Sequence, residues 1–61
     1  MYLLVLSLPF NILMVNRTPH PSYDAALQVA RDEYGVFPMD VWSADDVAQT
    51  KSHVIYFPFG G

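Results

Sequence analysis

Apolar and polar residues alternate differently in successive parts of the chain, and each pattern predicts a different element. From Met1 to Asn16 the sequence MYLLVLSLPFNILMVN carries no charge and holds most of the large aliphatic side chains. In an extended chain successive side chains point to opposite faces. Tyr2, Leu4, Leu6 and Leu8 therefore share one face, and Leu3, Val5 and Ser7 the other. A strand apolar on both faces is a central strand, or one whose second face is covered by another copy of the protein. Pro9 cannot donate to a ladder and presets the backbone for a turn, and Asn11 tolerates unusual turn geometry. The run predicts a hairpin over residues 2–17 that turns at Leu8-Pro9-Phe10-Asn11. One long strand bent at Pro9 is the alternative.

The period changes after the stiff connector Thr18-Pro19-His20-Pro21, whose prolines forbid helix. Tyr23, Ala26, Leu27, Ala30 and Tyr34 recur at spacings of three and four, one apolar stripe of a helix over residues 22–34. Ser22 is a good N-cap, Asp24 suits the positive end of the helix dipole, and Gly35 stands where a C-terminal cap belongs. Asp24, Gln28, Arg31 and Asp32 face the other way. Beyond Gly35 the pattern predicts strands over about 37–43 and 53–59. Between them, Ser43-Ala44-Asp45-Asp46 reads as a turn or as one short helical turn capped by Ser43. Pro58 places the end of the last strand at a sheet edge or past it.

The element order is ββαββ. With short connections this predicts an α+β domain spanning 1–61: a four-stranded, mostly antiparallel sheet with one amphipathic helix packed on one face. A single helix covers a single face. The other is also apolar, so the pattern predicts a homodimer through the uncovered sheet face or an edge.

Composition sharpens this. Sixty-one residues lie near the lower limit for a domain with one unstapled core. The chain has no cysteine, so disulfides and thiolate metal sites are excluded, and a 52% hydrophobic content is a surplus of apolar surface for so small a fold. The net charge of −3, six acids against Arg17, Arg31 and Lys51, argues against direct nucleic-acid binding, which needs clustered cations. Asp32, Glu33, Asp45 and Asp46 are candidates for an acidic face that meets a protein partner with a basic surface, although a plain solvated face has the same composition. Membrane association through 1–16 is disfavoured by Pro9, Asn11 and the shortness of the run. A signal peptide is disfavoured by the missing basic region and cleavage site, so the chain is expected to be cytoplasmic.

Little points to catalysis. His20 and His53 are the only imidazoles and lie far apart in sequence, with no supporting ligands, so neither a metal nor a cofactor is expected. No serine sits in a nucleophile elbow, and no glycine-rich phosphate loop exists.

The C-terminal run Val54-Ile55-Tyr56-Phe57-Pro58-Phe59-Gly60-Gly61 resembles the tail of ubiquitin-like sulfur-carrier proteins. That resemblance covers these eight residues and implies a β-grasp fold, with Gly60 and Gly61 forming a tail activated at its carboxylate. The Gly-Asp turn that usually precedes the last strand of that family is replaced here by Thr50-Lys51-Ser52. The leading expectation is instead a small non-catalytic protein-binding module. Its size and charge match those of phage-encoded or mobile-element inhibitors that occlude a larger, nucleic-acid-handling complex. Phe10, Trp42, Tyr56 and Phe59 are its candidate aromatic anchors, set against the demand of a small core for the same residues.

Overall fold

Pro9 divides the apolar run as its chemistry requires. In the computed structural model, which describes residues 1–58, β1 (Tyr2–Leu8) and β2 (Ile12–Asn16) form an antiparallel hairpin in which Leu8 faces Ile12 and Val5 faces Val15. After the proline-rich connector comes α1 (Tyr23–Tyr34), then β3 (Asp40–Ser43), α2 (Ala44–Gln49) and β4 (His53–Phe57). The sheet order is β3-β1-β2-β4. β1 is antiparallel to both of its neighbours, and β4 runs parallel to β2. The fold is α+β, as the pattern predicts, and the sheet is mixed. The reason is α2: it carries the chain from the β3 edge across the sheet, so β4 enters the opposite edge in the direction of β2.

Strand parity sorts the core into two layers. Leu4 is fully buried against Ala26 and Ala30 of α1, with Tyr2, Val29 and Val41 around it. The two small residues let the helix sit close to the strands. On the other face Leu3, Val5, Leu13 and Val15 pack on Val47 of α2, flanked by Trp42, Ala44 and Val54. The expectation of one helix and one bare face is thus corrected. Of the two readings of the segment after Ser43, turn or short helical turn, the second holds: it is a six-residue helix whose Val47 packs on the second face. Both helices begin on a serine cap: Ser22 Oγ accepts from the Ala25 N–H at 3.1 Å, and Ser43 Oγ from the Asp46 N–H at 3.1 Å.

One boundary shifts, and two details differ. The strand expected from residue 37 begins at Asp40, because the Phe37 N–H turns back to the Tyr34 carbonyl and the Met39 N–H to that of Phe37. Gly35 ends α1 in a right-handed conformation rather than the left-handed one glycine uniquely permits. Tyr23, expected in the buried stripe, is half exposed and stands edge-on to Tyr2. Among the described residues no helix is long and apolar enough to cross a membrane.

Candidate binding surface

α1 packs chiefly on β1 and β3, which leaves most of the β2–β4 half of that face without a helix above it. Tyr34, at the helix end, reaches across. Its hydroxyl accepts from Asn16 Nδ2 at 3.2 Å, and its ring meets Phe57 edge-on at 6.4 Å. Asn16 is the one buried polar side chain among the described residues, and its Oδ1 in turn accepts from the Thr18 N–H at 3.0 Å. The pair fixes where the helix stops relative to the sheet.

Beside this anchor lies an apolar groove of about 190 Å³, lined by Leu6, Met14, Tyr34, Phe37, Met39 and Phe57. By register Leu8 and Ile12 continue the same face toward the hairpin turn, and Ile55, beside Met14, continues it to the β4 edge. Phe37 is 56% exposed and Leu8 39%, with Val36 at 89% on the loop above, so the groove opens into a hydrophobic surface rather than a closed core.

At the tip of the hairpin, Phe10 is 90% exposed and has φ 65°, followed by Asn11 at φ 59°. Asparagine visits that left-handed region readily. For a phenylalanine it is strained by about 1 kcal/mol. A large aromatic that is both strained and solvated contributes little to this fold that glycine would not supply better.

The candidate anchors do not converge. Trp42 is half buried against the second core layer and pairs with Leu3. Tyr56 lies on β4, at the opposite edge of the sheet from Trp42, with the Arg17 guanidinium 5.9 Å above its ring. Phe59, Gly60 and Gly61 lie outside the described residues. The acids divide likewise: Asp32 and Glu33 are on α1 and Asp45 and Asp46 on α2, across the sheet from one another, so they make two separate exposed pairs rather than one acidic face. Asp32 accepts from Gln28 Nε2 within its own helix.

Two further cavities flank the sheet. One of about 480 Å³ is bordered by Val41, Trp42, Asp46, Gln49 and Thr50. The other, about 460 Å³, is bordered by Asn16, Thr18, His20, Val29, Glu33, Tyr34 and Pro58. His20 is held by paired backbone bonds to Tyr2, and its Nε2 is buried without a hydrogen-bond partner among the described residues. No group of three His, Cys, Asp or Glu side chains suited to a metal occurs among the described residues. His53, expected as a cross-strand neighbour, pairs with Ile12.

Phe37 is legible in the sequence as a candidate aromatic anchor, but the groove beside it is not, because the pattern predicts one strand over about 37–43. The signal was present in Phe37-Pro38: a proline next to a bulky apolar residue just past a helix end marks a loop. No family model, curated protein or solved structure matches the chain.

Proposed function

We propose that the protein is a non-catalytic protein-binding module that acts by occluding a surface of a larger partner. Its contact surface is the apolar groove, continued through Leu8 to Phe10 at the hairpin tip. The observation that carries this reading is the strained, solvated Phe10 beside a sheet half with little helix over it. Aromatic side chains at such positions are the usual anchors of interfaces, since they bury much area for little loss of conformational freedom. The exposed acid pairs of α1 and α2 suit a partner with basic surface, such as the channel of a nucleic-acid-handling complex, and would set association rate more than affinity.

Affinity capture from cells that make the protein tests this. Wild type should retain a specific partner that Phe37→Ser and Phe10→Gly lose, while Gln28→Ser, on the exposed back of α1, retains it. Equal retention by all four chains, each folded by circular dichroism, would overturn the assignment.

A further inference from the structure

The geometry points to a second copy of this chain as the occupant of the free edge of β4, in one defined antiparallel register centred on Ile55. The His53 N–H donates to the Asn11 carbonyl at 2.9 Å, and the Arg17 N–H to the Phe57 carbonyl at 2.9 Å. With the parallel register Ile12–His53 through Asn16–Phe57, these bonds direct the backbone groups of His53, Ile55 and Phe57 toward β2. The N–H and C=O of Val54 and Tyr56 therefore point outward. β4 is the last strand of the sheet, and these four groups have no backbone partner among the described residues.

The arrangement is self-complementary. In an antiparallel pair, residues with outward groups exchange both hydrogen bonds when they stand opposite one another. Placing a two-fold axis at Ile55 sets Val54 opposite Tyr56 of the second copy, and Tyr56 opposite its Val54. All four free groups are then satisfied. The ladder also ends itself. The next opposed pair is Ser52 with Pro58, where proline has no N–H and the Ser52 N–H already donates to Thr50 Oγ1 at 3.3 Å.

Nothing within β4 blocks such pairing. Native edges are guarded by lysine, proline, bulges or a covering element, and His53–Phe57 holds no lysine, proline or formal charge. Electrostatics favour this edge as well. All six acids lie on α1, β3 and α2, so no carboxylate of either copy lies within the strand that pairs, and the only charges flanking β4 in sequence or register are Arg17 and Lys51. The pairing joins the two sheets into one of eight strands and sets the bare half-faces of both copies side by side, Ile55 against Ile55.

This inference is independent of the proposed function, and its test is separate. Light scattering at micromolar concentration should give twice the 6.9 kDa of one chain. Chemical synthesis with an N-methyl group on Tyr56 removes one outward donor and no internal bond, and should yield a folded monomer. Because the chain has no cysteine, an Ile55→Cys variant carries a single thiol on the axis. The opposed non-hydrogen-bonded positions there are about 4.5 Å apart at Cα, within disulfide reach, and mild oxidation should cross-link the dimer. Tyr56→Cys places its two thiols on a diagonal of roughly 7–8 Å and should cross-link poorly. A wild-type monomer would overturn the proposal, including one whose β4 edge pairs with a strand of another protein. So would a dimer indifferent to N-methylation, or equal cross-linking by both cysteine variants.

Discussion

Val47→Ala is the perturbation that reads the second core layer most cleanly. α2 is only six residues long and fully buries one side chain, so its apolar attachment rests mainly on Val47, which is 4% exposed against Leu3, Val5, Leu13 and Val15, with Ala44 beside it. The substitution removes two carbons at ~0.8 kcal/mol each. It also leaves a void between helix and strands, while alanine's better helix propensity returns up to about 0.6 kcal/mol. The expected net loss is about 2 kcal/mol. A domain of 61 residues is stabilised by roughly 3–9 kcal/mol, so this is a large share of the total. With a urea m-value of ~1 kcal/mol/M for so small a chain, Cm should fall by about 2 M at unchanged m. Ala48→Ser, on the exposed side of the same helix, should move Cm by less than about 0.5 M. If Val47→Ala shifts Cm no more than Ala48→Ser does, α2 is not sealing the sheet and the two-layer core is wrong.

Other expected outcomes follow the same reasoning. Asn16→Ala should cost about 1–3 kcal/mol, since it strips both the Tyr34 hydroxyl and the Thr18 N–H of their partner, whereas Tyr34→Phe should cost ~1 kcal/mol; paired urea melts separate the two. Gly35→Ala should destabilise by about 1 kcal/mol despite an ordinary φ of −57°, because a Cβ there would stand 2.8 Å from the Arg31 carbonyl oxygen. Phe10→Gly should raise stability by about 1 kcal/mol in the same assay by relieving the left-handed strain, and weaken partner retention.

Much of this architecture is legible in the chain. Parity along β1 names Leu4 and Leu3/Val5 as belonging to two faces, and the Ala26/Ala30 stripe with its Ser22 cap marks α1. Two things were less so. The segment after Ser43 carries Ala44, Val47 and Ala48 at helical spacing behind a serine cap, so a turn and one short helical turn both fit it; only the bare sheet face beneath it decides for a helix of six residues. The parallel entry of β4 depends on which edge α2 leads to, a property of the whole topology and not of any local run. The acidic pairs show the same limit. Asp32-Glu33 and Asp45-Asp46 look alike in sequence, and the sheet between their helices separates them. Phe10 was legible as an aromatic, but its positive φ, which gives it meaning, was not.

The claim that the groove and hairpin tip are the contact surface is tested most directly by site-specific photo-cross-linking. Benzoylphenylalanine would be placed in turn at Phe10, Phe37 and, as a control, Gln28, in cells that make the protein. Phe10 and Phe37 should give one shared adduct of higher mass, and Gln28 none. Adducts at Gln28 with none at Phe10 or Phe37 would contradict it.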